Sequence, residues 1–192
     1  MPSWSVADLH WTYNVTHPDK SLSTGPTYQN TPNSAISVGG TTFAYRDLGP
    51  EGGIPVVLLN HWGATLDNFD PSIVDGLAAR HRVIAIDYRG IGDSEGDAPV
   101  TVAEMARDTI ALIDALGFEQ VDLLGFSLGG FVAQDVVLNA PERVRKLILT
   151  GTGPAGGRGI DRVGEVSWPL IIKGLLTLKD AKYYLFFQSK HP

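Results

Sequence analysis

Four short apolar runs recur through the middle of the chain almost without polar interruption. They cover residues 56–59, 83–86, 121–124 and 147–149. Continuous aliphatic runs of this length are typical of strands that are buried on both faces, as in a parallel sheet covered by helices. The pattern therefore predicts four central strands.

A different pattern precedes these runs. Residues 36–38 and 42–45 alternate between apolar and polar side chains, and the pair Gly39-Gly40 lies between them. Two alternating runs joined by a Gly-Gly turn predict a β-hairpin.

The segments between the central strands carry helical signals. Thr101 and Glu104 form a capping box, and Gly117 closes the stretch that follows. The predicted helix has one apolar face, which consists of Val102, Met105, Ala106, Thr109, Ile113 and Leu116. A second helix is predicted from about Ser127 to a point before Pro141. Alternating strands and helices predict an α/β fold, a mostly parallel sheet with helices on both faces and right-handed crossovers.

The chain divides into three parts by composition. Residues 1–34 are polar and contain several prolines, which favours a loosely held, poorly structured N-terminal extension. Residues 35–160 contain the strand and helix signals of the core. Residues 161–192 have apolar side chains at near-helical spacing and are interpreted as the start of a helical cap.

Composition and charge narrow the function. A length of 192 residues fits one domain, and the net charge of −6 argues against a nucleic-acid partner. The chain has no cysteine, so a disulfide, a thiolate nucleophile and a Cys-ligated zinc are excluded. The N-terminus lacks the pattern of a secretory signal, and the apolar stretch 168–178 is too short to span a bilayer. We therefore expect a cytoplasmic protein that acts on a small molecule without a membrane partner.

A candidate nucleophile follows the third central strand. The sequence Gly125-Phe126-Ser127-Leu128-Gly129 is a G-x-S-x-G pentapeptide between a predicted strand and a predicted helix. Glycine is expected at 125 and 129 because a Cβ at these positions would clash where the chain turns sharply. The backbone N–H of Leu128, at the start of the helix, is a candidate donor to an oxyanion. The pattern predicts Ser127 as a catalytic nucleophile.

Three segments together resemble the α/β-hydrolase superfamily. Residues 60–63, Asn-His-Trp-Gly, match the loop after the first central strand, and residues 87–94 match a D-x-R-G-x-G-x-S turn. The elbow at residues 125–130, with Val-Ala-Gln at 132–134, resembles the branch that contains cofactor-free haloperoxidases and small esterases. The resemblance covers about residues 36–160 and implies an α/β-hydrolase type of fold.

The resemblance also implies an activity and further site residues. It implies a serine hydrolase that acts on a small ester, lactone or related acyl compound, with no cofactor and no metal. The backbone N–H of Trp62 is implied as the second oxyanion donor, with Gly63 as the alternative, and His61 is interpreted as structural rather than as a base. Other chemistries on the same fold stay open, namely C–C bond hydrolysis, acyl transfer and cofactor-free haloperoxidation.

The segment after the elbow departs from the family's order, in which an acid and then a histidine follow the serine. Only one strand is legible there, and Asp161, Asp180 and His191 are interpreted as solvated or terminal residues. The triad acid and histidine are therefore unassigned. We expect a fold that is incomplete at its C-terminal end because the chain is the N-terminal part of a longer hydrolase. The alternative is a catalytically incomplete fragment or a non-catalytic binding protein.

A second glycine pattern has a simpler interpretation. Residues 151–156 match G-x-G-x-x-G after a strand. A dinucleotide site requires a helix to begin within that pattern, and the glycines at 156, 157 and 159 oppose helix propagation. A loop is predicted here.

Overall fold

A six-stranded sheet forms the centre of the molecule in the computed structural model, which describes residues 26–179 and Tyr184. The strands are β1 (Ser34–Val38), β2 (Thr41–Leu48), β3 (Val56–Leu59), β4 (Val83–Ile86), β5 (Val121–Phe126) and β6 (Val144–Thr150). Their order across the sheet is β1-β2-β4-β3-β5-β6. The pairs β1–β2 and β2–β4 are antiparallel, and the other three pairs are parallel. The predicted hairpin and the mostly parallel sheet are confirmed.

Successive side chains of the central strands enter two separate cores. Val57 and Leu59 of β3 belong to a cluster with Ile113, which packs on one face of the sheet. Val56 and Leu58 belong to a second cluster on the opposite face, which includes Val74. Because side chains alternate along a strand, burial of both faces explains why these segments lack polar alternation.

Helices cover both faces of the sheet. They are α1 (Pro71–Ala78), α2 (Val102–Ala115), α3 (Leu128–Asn139) and α4 (Val163–Leu176). The predicted capping box opens α2: Glu104 N donates to Thr101 Oγ1 at 3.1 Å, and Thr101 N donates to Glu104 Oε2 at 3.2 Å. Within the described ranges, no helix has the length and apolar character that crossing a membrane requires.

The outer strand β6 leaves apolar side chains exposed. Leu147, Ile148 and Leu149 are each between 37% and 42% exposed, although Leu123 and Gly125 of the neighbouring strand β5 are buried. Helix α4 adds exposed apolar side chains, among them Val166 and Leu175. This end of the sheet therefore presents an apolar surface.

The described part of the predicted extension, residues 26–34, differs from the expectation of a loose segment. Tyr28 is only 1% exposed, and its hydroxyl donates to the carbonyl oxygen of Leu66. The guanidinium of Arg46 lies 4.8 Å from the centre of the Tyr28 ring, and Tyr28 N donates to Asp75 Oδ1 at 2.7 Å. A single buried aromatic residue thus anchors a polar segment. Residues 1–25 of the predicted extension lie outside the described residues.

The hydroxyl of Tyr28 gives a test of this anchor. Burial raises the pKa of Tyr28, so the hydroxyl stays protonated and remains a donor. We expect Tyr28→Phe to lower the free energy of unfolding by about 1–3 kcal/mol, because the buried Leu66 carbonyl loses its donor. Urea denaturation followed by circular dichroism measures the change.

The matched control is Tyr45→Phe, which removes a hydroxyl that has no hydrogen bond among the described residues. This variant should unfold as the wild type does. Equal stability of all three proteins would show that the hydrogen bond from the Tyr28 hydroxyl to Leu66 does not stabilise the fold.

Candidate active site

Ser127 lies at the sharp turn between β5 and α3. Its backbone has φ 54° and ψ −113°, a region that residues with a Cβ rarely adopt. Ser127 N donates to the carbonyl oxygen of Thr150 at 3.0 Å, and Ser127 O accepts from Gly130 N at 2.9 Å. These two bonds hold the strained residue from both sides, at the carboxyl end of the central strands.

The glycines on either side of Ser127 lie where no Cβ fits. A Cβ on Gly125 would lie 2.6 Å from Gly130 Cα. A Cβ on Gly129 would lie 2.5 Å from the carbonyl carbon of Leu59 and 2.9 Å from Asn60 O. The start of α3 therefore packs directly on the backbone of β3 and of the loop that follows it, and the expected clash is confirmed.

The two residues predicted to supply oxyanion donors line one pocket. Leu128 is the first residue of α3, and Trp62 lies in the loop after β3. Neither backbone N–H donates a hydrogen bond to another described residue. The pocket has a volume of about 280 Å³, and Gly63, the alternative donor, lines it too. The fold thus brings Trp62, Gly63 and Leu128 to the lining of one pocket.

Asn60 fixes the loop that carries Trp62. Its side chain is buried, with Nδ2 donating to Thr65 O at 2.6 Å and Oδ1 accepting from His61 N at 2.8 Å. The side-chain amide of Asn60 therefore links the two ends of the loop and fixes its conformation. No role was predicted for Asn60, although a polar residue directly after a buried strand is a usable signal.

Asp87 connects this loop to the turn after β4. Its carboxylate is buried and accepts from Leu66 N at 2.7 Å and from Asp93 N at 3.1 Å. Ser94 Oγ donates to the carbonyl oxygen of Asp87 at 3.0 Å and accepts from Ala44 N at 2.9 Å. Burial raises the pKa of Asp87, while the two backbone N–H groups oppose that shift.

Aromatic contacts join the loop to the elbow and to α4. The His61 ring meets the Phe126 ring edge-on at 5.4 Å between centroids, and its Nδ1 lies 2.9 Å from the carbonyl oxygen of Trp62. The Trp62 ring meets Trp168 of α4 at 6.4 Å with an angle of 77° between the planes. The structural role of His61 stays a prediction.

The glycine-rich segment at residues 151–156 forms a loop, and no helix begins within it. Gln134 of α3 holds this loop, because its Nε2 donates to Gly153 O at 2.8 Å and its Oε1 accepts from Ala155 N at 3.3 Å. The predicted loop is confirmed.

The acid and histidine residues that the sequence singled out after the elbow are Asp161, Asp180 and His191. Asp161 lies in a short 3-10 turn, Ile160–Arg162, and its side chain is not described. Asp180 and His191 lie outside the described residues. Within residues 26–179, no group of three or more histidine or carboxylate side chains could hold a metal ion.

Comparison with known proteins identifies relatives of this chain. The family model described as alpha/beta hydrolase fold matches residues 54–169. The chain is 40% identical over 107 residues to a protein named "Putative carbamate hydrolase RutD" from Azorhizobium caulinodans, which covers 55% of this chain and 40% of that protein. It is 39% identical over 119 residues to a non-heme chloroperoxidase from Streptomyces lividans, which covers 60% of this chain and 42% of that protein.

A solved structure is similar over most of the described fold. The alpha/beta hydrolase fold protein from Chitinophaga pinensis superimposes with a TM-score of 0.77 at 37% identity, over 86% of this chain and 60% of that one. The chain spans about two fifths of the length of the two curated relatives.

The contact between Gly129 and β3 predicts a severe effect of a single methyl group. Gly129→Ala should lower the free energy of unfolding by about 1–3 kcal/mol or more, because its Cβ meets backbone atoms that cannot move independently. The control is Gly76→Ala in α1, where a Cβ meets nothing within 4 Å. The free energy of unfolding of that variant should rise by up to about 1 kcal/mol, because alanine has a higher helix propensity than glycine. Urea denaturation measures the stability of both variants. If Gly129→Ala were as stable as the wild type, the close contact with β3 would be contradicted.

The buried carboxyl of Asp87 predicts a pH-dependent stability. Because burial raises its pKa above the ordinary value of 3.8, the native state favours the protonated form. The contribution of Asp87 to the free energy of unfolding is therefore fully present below about pH 3.9, the pKa of the group in the unfolded chain. It is lost as the pH rises through the raised pKa of the native state. The unfolding free energy of the wild type minus that of Asp87→Asn should fall as the pH rises from about 4 towards neutrality.

Urea denaturation at a series of pH values measures this difference. Asp97→Asn, which removes an exposed carboxylate, controls for the loss of one charge. A difference that rises with pH would mean that the two backbone donors outweigh burial.

Proposed function

The chain belongs to the α/β-hydrolase fold family, and from that premise we propose that it carries the nucleophile and the oxyanion hole of a serine hydrolase. The proposed substrate is a small ester, lactone or related acyl compound. The observation that carries the proposal is the backbone of Ser127, which is held at φ 54° between β5 and α3. Strain of this kind at a non-glycine residue is typical of functional sites.

In the proposed reaction, Ser127 Oγ attacks the carbonyl carbon of the substrate. The N–H groups of Leu128 and Trp62 stabilise the negative oxygen that forms, and the N-terminus of α3 adds a favourable partial charge. A histidine removes the serine proton and delivers it to the leaving group, while an acid orients that histidine. Water then hydrolyses the acyl-serine. The histidine and the acid are not assigned to residues of this chain.

The names of the relatives support an acyl-type reaction. A carbamate, like an ester, has a carbonyl carbon bonded to a heteroatom that leaves, and one relative is named for carbamate hydrolysis. The relative named a chloroperoxidase supports a second candidate, cofactor-free haloperoxidation on the same site. C–C bond hydrolysis and acyl transfer stay open. The cytoplasmic location, the small-molecule partner and the lack of a cofactor stay predictions.

A different class of function remains the alternative to catalysis. The apolar surface of β6 and the unassigned acid and histidine support a catalytically incomplete fragment or a binding protein. The experiment therefore has to answer two questions separately: whether Ser127 is the nucleophile, and whether the 192-residue chain is active by itself.

Labelling with a fluorophosphonate probe, which modifies activated serine nucleophiles, answers both questions. The probe is applied to the 192-residue chain and to the longest form that its gene encodes, and the labelled residue is mapped by mass spectrometry. We expect modification at Ser127 in any form that contains the triad histidine, and a loss of esterase activity of at least about 10³-fold in Ser127→Ala.

Ser37→Ala is the matched control, because Ser37 is an exposed serine on the edge strand β1. It should label and hydrolyse esters as the wild type does. Labelling of the longer form alone would identify the 192-residue chain as catalytically incomplete, whereas unchanged turnover by Ser127→Ala would overturn the proposal.

A further inference from the structure

Leu66, at the end of the loop after β3, is held by side chains from two distant parts of the chain. It is completely buried, and its N–H donates to Asp87 Oδ1 at 2.7 Å. Its carbonyl oxygen accepts from the hydroxyl of Tyr28, which belongs to the segment before β1. The preceding carbonyl oxygen, that of Thr65, accepts from Asn60 Nδ2 at 2.6 Å. The position of Leu66 therefore determines where this loop ends.

Arg46 of β2 connects Tyr28 to the residue that follows Leu66. Its Nη1 donates to the carbonyl oxygen of Tyr28 at 3.1 Å, and its guanidinium lies over the Tyr28 ring. Its Nη2 donates to Asp67 Oδ1 at 2.7 Å. Arg46 is only 8% exposed, and a buried guanidinium is costly unless its donors are paired. The partners of Arg46 therefore specify its orientation, and it links residues 28 and 67 directly.

These contacts belong to a closed ring of hydrogen bonds. Asn33 Oδ1 accepts from Arg46 Nε at 3.0 Å and from Arg46 Nη2 at 2.7 Å. Asn33 Nδ2 donates to Asp93 Oδ2 at 2.7 Å, and Asp93 N donates to Asp87 Oδ2 at 3.1 Å. The ring is complete because Asp87 accepts from Leu66, and its members are Tyr28, Leu66, Asp87, Asp93, Asn33 and Arg46. Each member can move only by lengthening two bonds at once, so the ring resists distortion.

The ring acts on the loop after β3 at a distance from the substrate. No member of it lines the pocket that Trp62 and Leu128 share. An N–H group stabilises an oxyanion only when it lies about 2.7–3.1 Å from that oxygen. A misplacement of about 1 Å costs about 100-fold in rate. The ring therefore affects the proposed reaction through the position of the loop that carries Trp62.

We propose that residues 26–33 form an N-terminal brace for the loop after β3, and that Tyr28 and Arg46 are positioning residues for the proposed hydrolysis. Tyr28 holds the carbonyl oxygen of Leu66, and Arg46 holds the carboxylate of Asp67. The N–H of Trp62 is thereby kept in one orientation. The inference rests on the proposed function, because the position of this N–H matters for catalysis only if it stabilises an oxyanion.

The first arm of the test is hydrolysis of methyl butanoate by the longest form that the gene encodes, followed by pH-stat titration. Methoxide is a poor leaving group, so chemistry is slow and KM approximates the dissociation constant of the ester. Tyr28→Phe and Arg46→Met should each lower kcat by about 10- to 100-fold and leave KM within about twofold of the wild type. Inhibition by a trifluoromethyl ketone, which forms an oxyanion on the serine, should weaken by a similar factor.

Arg82→Met is the matched control for Arg46→Met. The Arg82 guanidinium also pairs with a carboxylate, that of Asp47 at 2.6 Å, and also lies over an aromatic ring, that of Phe118. Among the described residues, its side-chain hydrogen bonds go to Asp47 and not to the loop after β3. This variant should lose stability and keep the wild-type kcat. An equal loss of kcat in both arginine variants would mean general loosening and would overturn the positioning role.

The second arm measures hydrogen exchange of the 192-residue chain by mass spectrometry and needs no turnover. In residues 60–68, the N–H groups of His61, Thr65, Leu66 and Asn68 donate to described partners. Tyr28→Phe and Arg46→Met should accelerate exchange in peptides covering residues 60–68 by at least about tenfold more than in peptides covering β4. Arg82→Met should show no such difference. If Arg46→Met does not fold, Tyr28→Phe, which removes a single oxygen atom, decides both arms.

The two arms distinguish failure of the inference from failure of the proposed function. If no ester is hydrolysed through Ser127 but exchange at residues 60–68 rises selectively, the brace stands and the hydrolase proposal fails. If hydrolysis depends on Ser127 while Tyr28→Phe and Arg46→Met keep the wild-type kcat, the positioning role is overturned. It is also overturned if exchange at residues 60–68 rises no more than exchange in β4.

Discussion

The direct contact between α3 and the backbone of β3 is the constraint on which the candidate site depends. Gly129 touches the carbonyl group of Leu59, and Gly125 touches the first turn of the same helix. Only this close approach lets the chain reverse from strand to helix within one residue, and that residue is Ser127. The same contact sets the loop after β3 beside the start of α3, so Trp62 and Leu128 line one pocket.

Two buried polar side chains fix the conformation of the loop after β3. Asn60 closes the loop after β3 on itself, and Asp87 ties the end of that loop to the turn after β4. Buried polar groups are costly unless they are fully hydrogen-bonded, and each of these bonds to two backbone groups. Their orientation is therefore specified, and so is the position of the loop that carries Trp62.

The sequence predicted the elements with strong local signals and missed those that depend on tertiary contacts. The apolar runs, the capping box at Thr101 and the elbow around Ser127 each express a constraint within a few residues, and the structure contains all of them. Tyr28 was missed because its partners lie far along the chain, so a polar local composition concealed one buried ring. The role of Asp87 was missed for a similar reason, since its donor Leu66 lies 21 residues away and becomes a neighbour only in the folded chain, although Asp93 belongs to the same turn.

The contact between Trp62 and Trp168 makes the arrangement of α4 visible to spectroscopy. Two indole rings with centroids 6.4 Å apart and planes at 77° have coupled electronic transitions. Coupling of this kind splits the ultraviolet circular dichroism of the pair into bands of opposite sign, and the splitting vanishes once the rings separate. Since one ring belongs to α4 and the other to the loop after β3, the protein contains an intrinsic optical reporter of whether this helix covers that loop.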